Sequence, residues 1–331
     1  MSTRSTDVVI VGAGFAGCAT AWALAERGIR AIVLEREAML GVHASGRGAG
    51  LGRVLAEDDE TSQLTIRGAQ LLRERFAAHW RPTGGYLTFD APAEAYVERA
   101  HRLDVVCERV EPAVVKRHWP RVDVAIANAL WIPHDGVIDL AGLLNAFARE
   151  VELGTTVQRI EPSERGARIE TSHGSIEARC VVDAAGAWAG WATKDPPLEA
   201  YKRHLFVIEM AASIDAPYLW HLGATEVYVR PHPEGVLACP CDADLVPAMF
   251  HQPSIDADHR LGARLPGGFG ITKRWACQRT FAPDRKMRIG RDPSRRWLVW
   301  AAALGGHGAT ASAAVGERAA QAVMEVLDER A

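Results

Sequence analysis

The chain has 331 residues, 48% of them apolar and 24% charged, with a formal net charge of −3. That length exceeds one ordinary compact domain and suits two domains sharing a border, with the composition of a globular protein. The charges are dispersed, which excludes an electrostatic footprint for nucleic acid, and no stretch approaches the ~18 uninterrupted apolar residues of a membrane-spanning helix.

Met1 to Thr6 are polar, and the apolar run that follows leads straight into glycines. It therefore reads as a strand and not as a signal peptide, so a cytoplasmic location is expected. Asp7 to Val11 reads as a buried parallel strand, Gly12 to Gly17 as a turn, and Cys18 to Arg27 as an alanine-rich helix ended by Gly28. Arg30 to Leu34 gives a second strand that ends at Glu35, closing a β-α-β unit. Thr61 to Trp80 has helical spacing, Tyr86 to Phe89 a short strand pattern, and Ala93 to His118 a mostly helical one. Asp139 is placed to cap a helix over Leu140 to Glu150. Strand patterns follow over Thr155 to Ile160, Ala167 to Thr171, Ser175 to Val182, Arg203 to Glu209 and Glu226 to Arg230. Trp297 to Ala302 is a final strand that enters Gly305-Gly306-His307-Gly308 and a closing helix from about Ala309 to Asp328.

The pattern predicts an α/β fold: a three-layer, Rossmann-like nucleotide domain (residues 1–77, 136–200 and 285–331). A discontinuous, mostly antiparallel β-sheet domain (78–135 and 201–284) would hold the substrate. The six cysteines are scattered, and Cys239-Pro240-Cys241 lacks the C-x-x-C spacing of a redox or zinc site. Buried thiols and no metal centre are expected.

Gly12-Ala13-Gly14-Phe15-Ala16-Gly17 is a G-x-G-x-x-G motif, with Glu35 eighteen residues past Gly17. Gly12 permits the tight turn, Gly14 admits a pyrophosphate to the backbone, and Gly17 lets helix and strand pack closely. Phe15 and Ala16 open the helix, whose N-terminus favours phosphate. Glu35 can accept from ribose hydroxyls. The motif alone fits NAD or FAD equally.

Later blocks decide between them. Glu35-Arg36-Glu37 leads to His43-Ala44-Ser45-Gly46-Arg47-Gly48-Ala49-Gly50; Asp135 to Asp139, Val181 to Trp188, Trp275 to Asp284 and Gly305 to Gly308 follow. In this order they resemble the D-amino-acid oxidase-like family of FAD-dependent oxidoreductases over nearly the whole chain. LEREAMLGVHASGR, KRHLF, YVRP and GGHGATASAAVGE resemble its D-arginine dehydrogenase-like members in particular. The resemblance implies FAD, with the loop from Ala44 to Gly48 around the pyrophosphate, Val157 at the adenine, and Gly186 and Trp188 where the chain returns. Gly305, Gly306, Gly308, Ala309 and Thr310 would face the flavin, where a helix N-terminus stabilises negative charge.

On the substrate side, the resemblance assigns Arg279 to a substrate carboxylate and Tyr228 to its second oxygen. Arg203 or its neighbour His204 supplies a further basic group, and His307 lies in the flavin-facing loop. Residues that read a cationic substrate in D-arginine-type members are replaced near Leu51, Ala56 and Gly84-Gly85, so a small or apolar amino acid or amine is expected. Its Cα hydride would pass to the flavin and the imine would hydrolyse, with O₂ or a quinone as final acceptor. Non-covalent FAD is favoured, with a covalent link through Cys277 as the lesser alternative. Oxidation of a 2-hydroxy acid, or a flavin-binding accessory role with little turnover, stay open.

Overall fold

The computed structural model describes residues 4–195 and 197–329. Strand β1 (Arg4–Val11), helix α1 (Phe15–Ala25) and strand β2 (Ala31–Leu34) form the expected unit, with β1 and β2 parallel. Strand Gly174–Asp183 lies parallel to β1 on its other side, and its last residues pair in parallel with Leu298–Ala302. Their central residues, Val8 to Ile10 and Cys180 to Val182, are apolar because both faces are covered. Val8 and Ile10 pack towards α1 and the closing helix Ser312–Asp328, while Val9 packs with Val181 and Leu298 on the opposite face. Antiparallel strands Val157–Pro162 and Ala167–Thr171 extend one side, Val151–Glu152 pairs with β2 on the other, and Arg288–Arg291 pairs with Leu298–Ala302, giving eight strands.

A second, nine-stranded sheet is mostly antiparallel. Its centre runs Glu199–Ile208, Gly235–Cys239, Val227–His232, Tyr218–Leu222, Gly85–Phe89 and Asn128–Ile132. The long strand Ile271–Phe281 lies along Glu199–Ile208. Alternation gives this sheet two different faces. Phe206, Ile208, Val229 and Ala238 face outward, under Val115 and Leu261 from the short helices Pro112–His118 and Ala257–Arg264. Leu205, Tyr228, Cys239 and Cys277 face the side of the eight-stranded sheet.

The stretch read as helical over Ala93 to His118 is two helices, Glu94–Arg102 and Pro112–His118, separated by the short strand Glu108–Arg109. Asp104, at φ +53°, turns the chain out of the first helix. Asp139 does cap its helix, accepting from the Gly142 N–H at 3.1 Å, but that helix ends at Phe147. Strands Tyr218–Leu222, Gly235–Cys239 and Ile271–Phe281 carry no alternation that sequence reading detected. Five of the six cysteines are buried, and Cys107 is half-buried.

Candidate active site

Two cavities meet where the sheets face each other. The larger, about 430 Å³, lies over the C-terminal ends of β1 and β2. The smaller, about 160 Å³, lies between the closing-helix turn and the inner face of the nine-stranded sheet. Gly14, Ala44, Ser45, Ala184 and Gly186 belong to both walls.

The first cavity is built mainly from backbone. Gly12 sits at φ +98°, and a Cβ there would stand 2.6 Å from the Ala184 carbonyl oxygen. Gly17 lines neither cavity; its hydrogen faces the Gly12 carbonyl, where a Cβ would come within 1.9 Å. It sets the approach of α1 to the turn. Gly14 precedes α1 without a side-chain cap, and the Phe15 N–H donates to Ser45 Oγ at 2.9 Å. The loop after β2 is thereby tied to the helix start. Glu35 accepts from the Ala13 N–H at 2.8 Å and the Glu37 N–H at 2.9 Å.

Arg36 stacks over the Trp188 ring at 4.0 Å, so two expected cofactor residues meet at the rim. Val157 and Arg47 complete that wall. Arg47 Nε donates to the Ala276 carbonyl, and Trp275 Nε1 donates to the Arg47 carbonyl, each at 2.9 Å. This loop is therefore fastened to the edge of the second sheet. Gly46 lines neither cavity and packs on Gly41 instead. Asp183, at the end of its strand, accepts from Ala185 and Gly190 N–H groups and shapes the turn through Gly186 and Trp188. Burial pushes its carboxyl up to about 6, against those two hydrogen bonds.

The second cavity is built from side chains. Arg203 stands opposite Cys277, Tyr201 opposite Arg279, and Tyr228 opposite both Trp220 and Cys239. Register thus places Arg203, Arg279, Tyr228 and Trp220 on one face. It also decides between the two adjacent basic residues. Arg203 points to the cavity, whereas His204 points the other way, to Asp242 and the Ser254 N–H. Among the described residues, neither Arg203 nor Arg279 forms an ion pair with a carboxylate; Arg279 donates to Cys277 Sγ at 2.9 Å and Arg203 to the Asp242 carbonyl at 3.3 Å. Burial, with Cys239 beside it, pushes the Tyr228 phenol well above its usual value, so its hydroxyl stays a donor at neutral pH.

Phe15, Ala16 and Gly48 close the cavity on the helix side, and Gly305, Gly306, Gly308, Ala309 and Thr310 form its far wall. Thr310 Oγ1 donates to the Leu51 carbonyl at 3.0 Å. His307 also lines it, with Nε2 2.9 Å from Glu57 and 3.2 Å from Arg53.

Arg53 escaped sequence reading. It is 2% exposed, ion-paired with Glu57 at 2.6 Å and stacked on Trp220 at 4.0 Å. Its Nε and one terminal nitrogen have no hydrogen-bond partner by geometry among the described residues. Its signal was a single arginine inside the apolar run Leu51-Gly52-Arg53-Val54-Leu55-Ala56. Behind it, Asp135 accepts from the Val54 N–H at 2.9 Å and from the Tyr218 hydroxyl, which fixes the backbone of this run.

The walls suit FAD: a glycine turn for a pyrophosphate, a carboxylate at the end of β2, and a second helix start at the adjoining cavity. A family model described as FAD dependent oxidoreductase (DAO) matches residues 7–322. Monomeric sarcosine oxidase from a Bacillus species is 26% identical, over 96% of this chain and 91% of that protein. Human mitochondrial sarcosine dehydrogenase is 30% identical over 56% of this chain, and the match spans 23% of that longer protein. Among solved structures, L-proline dehydrogenase from P. horikoshii superposes with a TM-score of 0.87 at 21% identity, covering 98% of this chain and 94% of that one. Glycine oxidase from Geobacillus kaustophilus gives 0.81 at 23%, covering 98% and 95%. The chain therefore belongs to the DAO family of FAD-dependent oxidoreductases.

Proposed function

We propose that the protein oxidises a small amino acid or amine whose carboxylate is held by Arg279. One observation carries this reading: Arg203, Arg279 and the Tyr228 hydroxyl converge on the smaller cavity, and among the described residues neither arginine pairs with a carboxylate. Arginine does not deprotonate, and a cation inside the fold calls for an anion. Relatives named for sarcosine, glycine and proline agree with a small substrate.

FAD would lie along both cavities, with Glu35 at the ribose, the Gly12 turn and Ser45 at the pyrophosphate, and the Gly305 to Thr310 turn at the flavin. When bound, it supplies the hydride acceptor. The chain's own residues bind and orient. Arg279 grips the carboxylate in a planar, two-point contact, Tyr228 donates to it, and Arg203 adds positive potential. Trp220 and Leu51 exclude water. No side chain is required to form a covalent bond to the substrate.

The assignment of residues 1–77, 136–200 and 285–331 to FAD, and of 78–135 and 201–284 to the substrate, is part of this proposal. It is supported by the eight-stranded sheet falling inside the first set, and by the nine-stranded sheet falling inside the second except at Glu199 and Ala200.

Anaerobic mixing with D- and L-amino acids, N-methyl amino acids and 2-hydroxy acids tests the reading. Bleaching of the flavin by amines supports it; bleaching only by hydroxy acids, or by nothing, overturns it. Cys277 is buried, and burial raises its thiol above the ordinary value despite Arg279. We expect acid precipitation to leave the flavin in the supernatant, consistent with non-covalent FAD; yellow precipitate would establish a link through this thiol. Assays with O₂ and with quinone analogues identify the acceptor.

A further inference from the structure

His307 stands where the smaller cavity meets a polar cluster that the proposed grip on the carboxylate does not use. Its backbone is pinned in the turn before the closing helix. The N–H donates to the Leu304 carbonyl at 3.1 Å, and the carbonyl accepts from the Ala311 N–H at 2.9 Å. Its imidazole lines the cavity and is 11% exposed. Nε2 lies 2.9 Å from Glu57 Oε2 and 3.2 Å from Arg53 Nη2. Arg53 in turn donates to Glu57 at 2.6 Å while stacked on Trp220.

A ring nitrogen between a carboxylate and a guanidinium can donate to the first or accept from the second. The carboxylate contact is the shorter, and a hydrogen bond to an ionised acceptor is strong. Nε2 therefore carries the hydrogen, and Nδ1 keeps a lone pair. Among the described residues, no group bonds to Nδ1. Among them too, the cavity walls carry three guanidinium groups and no Asp or Glu, which leaves His307 as the side chain there able to accept a proton near neutral pH.

An amino acid arrives as an ammonium, whereas a hydride leaves its Cα only when the nitrogen lone pair is free to form the imine. One proton must go before the hydride does. We propose that His307 is a catalytic residue whose Nδ1 takes that proton, with Glu57 as the positioning residue that orients the ring and stabilises its charged form. An N–H bond of the ammonium breaks, a bond to Nδ1 forms, and the electron pair stays on the substrate nitrogen. Nothing is oxidised or reduced in this step. The imidazolium then pairs with Glu57 through Nε2–H, the arrangement by which a carboxylate supports a histidine base. The Glu57 side chain is 58% exposed and gives the proton a way to water. The other charged and titratable groups around His307 are Arg53 beside Glu57, and Arg203, Arg279 and Tyr228 on the cavity walls. This role rests on the amine reading above.

The test uses holoenzyme and the amino acid that bleaches the flavin fastest in the panel above. At pH 7, the flavin of H307N should be reduced about 10²–10⁴-fold more slowly than that of wild type. The gap should close as pH rises through the titration of the substrate's own ammonium, because the amine then arrives neutral. A merely structural loss gives the same ratio at every pH and overturns the proposal. Nitrogen-15 NMR of histidine-labelled holoenzyme, with the His307 signals assigned by their loss in H307N, reads the ring without turnover. Wild type should show a bare Nδ1 and a protonated Nε2, and E57Q a mixture of both tautomers. The reverse tautomer in wild type, or an E57Q ring identical to it, overturns the proposal. The wild-type spectrum stands even where a variant folds poorly. If no amine bleaches the flavin, the amine reading falls and takes this role with it. If amines bleach H307N as fast as wild type, the role of His307 alone falls.

Discussion

The two cavities share a wall yet are built by opposite means. The dinucleotide side is a product of backbone: one turn at φ +98°, one helix start and one carboxylate, all within Val11 to Glu35. The smaller cavity, proposed here for the substrate, is a product of side chains from strands far apart in the chain, aligned only by pairing register. A backbone site tolerates variation in side chains but not in glycines. A side-chain site has the reverse sensitivity.

The contrast can be broken most directly at Arg279. Arg279→Met should lower kcat/KM for a carboxylated substrate by about 2–5 kcal/mol of transition-state binding, the cost of leaving an ionic contact unpaired in a buried site. An amine without a carboxylate should be spared. Equal losses on both would place Arg279 outside the substrate contact.

Asp135 tests the support behind that side. Burial pushes its carboxyl up to about 7, against hydrogen bonds from Tyr218 and Val54. Between about pH 4 and 7 the folded protein keeps a proton that the unfolded chain has released. This stabilising contribution is complete below the unfolded value and is lost as pH rises through 7. Asp135→Asn lacks it, so between pH 5 and 8 the variant should gain about 2–3 kcal/mol relative to wild type. Urea midpoints that shift in parallel with pH would show that Asp135 does not titrate in this range.

On the backbone side, Gly17→Ala forces a methyl against the Gly12 carbonyl and should cost about 1–3 kcal/mol of stability, with loss of bound FAD. A variant with normal Tm and full flavin content would mean that α1 can move away without harm. Glu35→Gln is the mildest change. It should weaken FAD binding about tenfold, near 1.4 kcal/mol, with KM for substrate unchanged. A shift in KM instead would join the two cavities more closely than their construction implies.

Legibility in the sequence followed the same division. Gly12, Gly14, Gly17 and Glu35 were readable because a short β-α-β unit forces each residue into one job. The central parallel strands were readable because burial on both faces makes them apolar. Ile271–Phe281 was not, since its inner face carries Cys277 and Arg279 for the cavities and hides the period of a half-buried strand. Arg53 looked like a stray charge until His307 and Trp220, far away in the chain, came around it beside Glu57, four residues on.

The sequence by itself determined the nucleotide unit, the order of the family's blocks and the cofactor class, because each depends on residues close together in the chain. Only the tertiary structure decided between Arg203 and His204, set Arg279 and Tyr228 on one face, and placed Gly17 and Gly46 off the cavity walls. The reason is periodicity. In a strand, adjacent residues face opposite ways, so a basic pair such as Arg203-His204 carries no direction until the neighbouring strand fixes the register.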